Sequence, residues 1–245
     1  MIPKTWVKFI VGVFPLPPVW IFTKTFWDTL GTALHHGLLG TPGCLFFVAG
    51  MVLWALFFWL LPRSWFFFLY VYGHECTHAL WAKLFRGKVA EKFHVSQEGG
   101  HILTDRVNTW IALSPYFFPI YTTIVVSIYL LARLFTSVAS LEWVFFLFLG
   151  LTWAFHLTFT CILILKGQPD LKYGGTFFSL LIIYLINLFI VTTLLLMAGP
   201  QITLAGYWND FSNNSIDFIS FTSVVLQQIE VLLRPLIRKF IEMKN

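Results

Sequence analysis

The chain has 245 residues, 58% of them hydrophobic and 11% charged, well below the roughly 25% charge of soluble domains. That composition excludes a soluble globule and points to a single-domain, all-α polytopic membrane protein covering residues 1–245. Its formal charge of +5 is scattered over loop ends instead of forming a basic stripe, so no nucleic-acid partner is expected.

The first segment, "WVKFIVGVFPLPPVWIF", carries Pro15, Pro17 and Pro18 halfway along, which interrupts the helical hydrogen-bond pattern. Residues 5–22 therefore either lie in the interface or form an additional span, and they lack the cleavage site of a removed signal peptide. The connector 23–42 follows, with His35 and His36. Neighbouring histidines point about 100° apart on a helix and do not chelate one ion together, so both are read as surface residues.

A crossing needs roughly 20 apolar residues. Five segments qualify: Gly43 to Leu61, Trp65 to Phe85, Val107 to Ala132, Trp143 to Leu165 and Thr176 to Ala198, giving five spanning helices, or six with the first segment, in a core of residues 43–198. Cys44, Cys76 and Cys161 fall in or beside these spans as small packing residues, not as a disulfide framework. Loop 86–106, "RGKVAEKFHVSQEGGHILTDR", alternates apolar and polar residues around Glu98-Gly99-Gly100 and reads as a β-hairpin. Its His94 and His101 are taken as exposed strand histidines.

The tail 214–244 repeats Val225, Ile229, Leu232, Leu236 and Phe240 at helical spacing opposite Arg234, Arg238 and Lys239, with a kink expected at Pro235. It is predicted to be an amphipathic helix on the membrane surface. Loops 86–106 and 166–175 hold most lysines and arginines near the spans, whereas Arg63 and Arg133 are assigned to the opposite side. The positive-inside rule then places the two richer loops in the cytoplasm.

The chemistry concentrates in "YVYGHECTHALWAKLF", Tyr70 to Phe85, where Glu75 is the lone acidic residue between Asp28 and Glu91. An ionisable cluster in so apolar a helix is a functional hypothesis by default. His74 and His78 are one turn apart on one helix face, so both imidazoles can close on one metal, and Glu75 can reach water beside it; this H-E-x-x-H arrangement recurs in zinc hydrolases. A metal-free polar cluster that fastens helices together is the plain alternative.

Two histidines leave a catalytic zinc one protein ligand short. Asp170, in the turn "LKGQPDLKYGG", and His156, the lone histidine inside another span, are the two candidates. His74 and His78 lie roughly 18 and 12 Å along their helix from Arg86, and His156 lies roughly 15 Å from Lys166, so depth favours His156. Asp170 would reach inward through a re-entrant connection that Gly167, Pro169, Gly174 and Gly175 permit. Further along, "NTWIALSPYFFP" places Asn108 at a helix start, as a cap or a substrate-binding amide, and Pro115 and Pro119 predict a kink beside the site.

The run "GHECTHALWAKLFRGKV", a hairpin containing Gly99-Gly100 and an aspartate in a Pro/Gly-rich turn resemble the membrane-embedded zinc metallopeptidases of the site-2 protease type, over roughly residues 65–190. The resemblance implies zinc bound by His74, His78 and Asp170, with Glu75 as the base. In that family the aspartate belongs to an N-x-x-P-x-P-x-L-D-G element, whereas this chain has neither an Asn eight positions before Asp170 nor a Gly directly after it. It further implies an endopeptidase acting on membrane-protein or peptide substrates, with its site toward the cytoplasmic side of a membrane; the compact polytopic form suggests a bacterial inner membrane. The alternative from a different class is a non-catalytic, regulatory membrane protein that keeps the metal-binding helix. A transporter is disfavoured, because one span alone holds a dense ionisable cluster and no broken-helix pattern repeats in the two halves.

Overall fold

A computed structural model of the chain describes residues 10, 12–95, 100–137, 139–199 and 202–243, with backbone alone for 91–95, 139 and 236–242. In chain order its elements are α1 (Leu16–His35), α2 (Pro42–Leu60), α3 (Arg63–Leu84), β1 (Val89–Val95), β2 (Gly100–Thr104), α4 (Thr109–Phe117), α5 (Ile120–Phe135), α6 (Glu142–Lys166), the single turn α7 (Asp170–Tyr173), α8 (Thr176–Ala198) and α9 (Leu204–Glu242). The expected hairpin is present, with β1 antiparallel to β2 and His94 opposite His101. Its turn residues 96–99 lie outside the described residues, as do residues 5–9 of the first segment.

The centre of the fold is the parallel pair α2 and α6. Thr41 caps α2 by accepting from the Cys44 N–H, with Pro42 at the first helical position where no N–H is needed. Gly50 and Gly150 let the two backbones touch: a Cβ at Gly150 would sit 1.9 Å from the Phe47 carbonyl oxygen, and one at Gly50 would sit 2.0 Å from that of Leu147. Small residues at such a contact are the usual device for packing apolar helices closely. Further along, Trp54 donates its indole N–H to Thr158 at 2.9 Å and stacks edge-on against Phe155.

These contacts define two ends of the bundle, one at Lys166 and the other at Ala198. α1 runs beside α8 from the first end to the second: Gly12 lies against Phe177, the Thr23 and Tyr184 hydroxyls are 2.9 Å apart, and Thr41 reaches the Ala198 carbonyl. α5 returns antiparallel to α6, with Thr122 on Thr152 and Tyr129 stacked on Phe145. α4 and α5 are one broken element, bent by 71° at Phe118 and Pro119, where proline removes backbone donors. The kink expected from Pro115 and Pro119 is this break.

Among the described residues, four helices are long and apolar enough to cross a membrane, namely α2, α6, α8 and the stretch Leu204–Pro235 of α9, or five with the α4–α5 pair. Two expectations are corrected. The segment Trp65 to Phe85 is not among these helices: Lys166 lies over the Phe67 ring, His74 stands beside Asp170, and Val107 accepts from Tyr173. Both ends of α3 thus lie at the Lys166 end of the bundle. Arg63, assigned to the opposite side from the sequence, belongs with Arg86 and Arg106.

The second correction concerns the tail. Residues 214–242 are helical as expected, but as part of a continuous 39-residue helix that begins at Leu204, about 58 Å long. Its polar residues near Asn214 face α1, where Asn214 donates to Thr25 at 3.2 Å and to Asp28 at 2.9 Å, and Asp28 also pairs with Lys24 at 2.8 Å. Phe211 and Phe218 pack on Phe22 and Trp20 of the same helix.

Cysteines introduced as Arg63→Cys and Arg86→Cys, in a background freed of native thiols, are expected to react with a membrane-impermeant reagent from one side, and Thr136→Cys from the other. Labelling of Arg63→Cys from the Thr136 side would mean that α3 crosses.

Candidate metal centre

α3 begins after Pro62 and brings His74 and His78 onto one face, their Nε2 atoms 3.2 Å apart and their rings edge-on at 4.8 Å between centroids. α6 ends at Gly167, whose φ of +71° is a left-handed conformation that glycine adopts without steric penalty. The chain then folds into α7, fixed by Ser179 donating to the Leu171 carbonyl at 2.9 Å and by buried Leu171. This turn carries Asp170 inward without using it as a helix cap.

Asp170 Oδ2 lies 3.6 Å from His74 Nε2 and 3.7 Å from His78 Nε2. The three atoms form a group close enough to hold one metal ion. A tetrahedral ion with nitrogen and oxygen ligands at about 2.0–2.1 Å has ligand atoms about 3.3 Å apart, so the spacings of 3.2, 3.6 and 3.7 Å fit such an ion with small adjustment. Burial pushes the Asp170 carboxyl up, and the imidazoles of His74 and His78 facing it more than reverse this, holding it below the ordinary carboxylate range. Asp170 is therefore an anionic donor at neutral pH.

The layer behind the ligand atoms fixes their orientation. His78 Nδ1 is 2.8 Å from the Ile111 carbonyl, which can only accept, so the proton is on Nδ1 and the Nε2 lone pair is turned to the group. That carbonyl is available because residue 115, which would donate to it in a regular helix, is a proline inside α4. Ser114 Oγ donates to the same oxygen at 2.9 Å. His74 Nδ1 lies 3.4 Å from the Tyr70 hydroxyl, and the fully buried Tyr116 donates its hydroxyl to Asp170 Oδ2 at 3.1 Å.

Glu75 is buried at 6% exposure, and the Ile102 backbone N–H of β2 faces its carboxylate. Glu75 lines a cleft of about 320 Å³ together with His74, His78 and Asp170, closed on one side by β2 and on another by Ile111 and Ala112 of α4. A larger apolar groove of about 1180 Å³ runs along α1 beside Trp20 and Phe218. It lies away from His74, His78 and Asp170.

His156 does not join the three ligand atoms. It sits behind them at 6% exposure, its ring beside that of Trp153. Depth along a helix was a fair guide to its level, but it says nothing of the direction in which the side chain points. Asn108 is the N-cap of α4, accepting from the Ile111 N–H at 2.9 Å. His101 borders the cleft without belonging to the group. Tyr116, Tyr70 and the Ile111 carbonyl were missed from the sequence; only Pro115, four positions after Ile111, carried a readable signal.

Comparison with protein families, curated proteins and solved structures gives no match to this chain. The chemistry of the site therefore rests on its own geometry.

Asp170→Ala is expected to reduce the metal content of detergent-purified protein to background, whereas His156→Ala keeps it near the wild-type value, as read by elemental mass spectrometry. The reverse pattern would transfer the third position to His156.

Proposed function

We propose that the chain is a zinc-dependent endopeptidase that cleaves peptide bonds of membrane-associated substrates, with His74, His78 and Asp170 as metal ligands and Glu75 as general base. The observation that carries this reading is a buried carboxylate, Glu75, lining the same cleft as a two-histidine, one-aspartate group. Three protein ligands with a position left open are the pattern of catalytic rather than structural zinc.

Zinc at such a centre supplies Lewis acidity that activates water and polarises a carbonyl. Glu75 then takes the proton from the attacking water as the scissile carbonyl becomes tetrahedral, and returns it to the leaving amine. His78, with its proton committed to the Ile111 carbonyl, stays out of this transfer. β2 borders the cleft, so a substrate segment lying extended beside it would have its carbonyls exposed.

The same reading places the cleft at the cytoplasmic side of a membrane. The Lys166 end carries Arg63, Arg86, Lys88, Arg106 and Lys172, whereas at the other end the segments 36–41, 136–141 and 199–203 have no lysine or arginine and Arg133 stands in the last turn of α5. That asymmetry is the positive-inside pattern, and moving Arg63 to the Lys166 end sharpens it.

Glu75→Gln is expected to retain bound metal while cleavage of a membrane-tethered peptide falls by about 100-fold or more, the scale of a lost general base. Wild-type protein that binds metal but cleaves no tethered peptide, with Glu75→Gln indistinguishable from it, would contradict the peptidase and leave a non-catalytic metal-binding protein.

A further inference from the structure

The group that faces Asp170 from the interior is Tyr116, on the last turn of α4. It is 0% exposed, its hydroxyl donates to Asp170 Oδ2 at 3.1 Å, and its ring meets His74 edge-on with centroids 5.5 Å apart. One side chain thus touches two of the three ligand residues. Tyr116 is itself fixed from behind: Asn187 of α8 donates to the Tyr116 carbonyl at 2.9 Å and to Ile183 at 2.8 Å. That carbonyl is free for Asn187 because α4 stops at Phe117 and α5 starts only at Ile120.

Asp170 begins a four-residue helical turn, too short to fix a carboxylate by its own backbone hydrogen bonds. A hydroxyl donated to an ionised carboxylate is a charge-assisted bond, stronger than its neutral counterpart, and buried tyrosine retains a partner for its O–H. We propose that Tyr116 is a positioning residue of the metal centre, aiming the Asp170 carboxylate at His74 and His78, and that Asn187 holds Tyr116 in that pose. This inference rests on the metal-binding reading above. His156 lies behind this layer and outside the three-atom group.

The test is a cobalt(II) titration of detergent-purified, metal-stripped full-length protein, following visible absorption and competition with a chelator. Variants are Tyr116→Phe, which keeps the ring and removes the hydroxyl, Asn187→Ala, and Tyr129→Phe as a control stacked on Phe145 away from the site. Tyr116→Phe is expected to weaken cobalt affinity by about 10- to 100-fold, the usual effect of removing a partner behind a ligand, and to shift the absorption bands. Asn187→Ala shifts both in the same direction, Tyr129→Phe shifts neither, and the thermal midpoint of metal-free Tyr116→Phe stays near wild type. Wild-type affinity and spectrum in Tyr116→Phe would overturn the positioning role while leaving the metal site standing. Absence of cobalt binding by the wild type would overturn both.

Discussion

The arrangement depends on bringing one carboxylate to two imidazoles inside an apolar bundle. A carboxylate among apolar groups is costly unless paired and hydrogen-bonded, so it persists where partners meet it. Asp170 is met by His74, His78 and Tyr116. That convergence requires α3 to enter the bundle at the Lys166 end, α6 to stop at a left-handed glycine, and the next turn to fold back inward.

The broken helix α4–α5 has a second effect. Regular helices consume their own carbonyls, and proline is costly in them because it leaves one without its donor. Here Pro115 leaves the Ile111 carbonyl to orient His78, and the break before Pro119 leaves the Tyr116 carbonyl to Asn187. The distortion is thus matched by contacts behind the ligands, so local irregularity and site geometry are one feature. The glycine contact between α2 and α6 supplies the close-packed support on which Tyr70 and Phe159 stack beside His74.

Much of this was legible from residue order, for definable reasons. Uninterrupted apolar runs located α2, α6 and α8 to within a residue or two, because a helix surrounded by apolar groups needs no polar partner to fix its limits. The i, i+4 pair His74 and His78 was legible because helical geometry alone brings those side chains together. The path of α3 was not: its apolar residues have the count of a span, and the partners of its polar ones, Asp170 and Ile111, are far along the chain. The same holds for the first half of α9, where Asn214 answers Thr25 and Asp28, more than 180 positions earlier. Tyr116 sits among aromatics with no spacing to distinguish it, and its role follows only from where the α4 turn ends.

The most direct measurement of the central claim is X-ray absorption at the metal edge of zinc-loaded, detergent-purified protein, compared with Asp170→Ala. The account predicts two imidazole nitrogens and carboxylate oxygen at about 2.0–2.1 Å in the wild type, with the two-imidazole signature weakened or lost with the metal in the variant. Sulfur or three imidazoles in the first coordination shell, or a spectrum unchanged by Asp170→Ala, would contradict it.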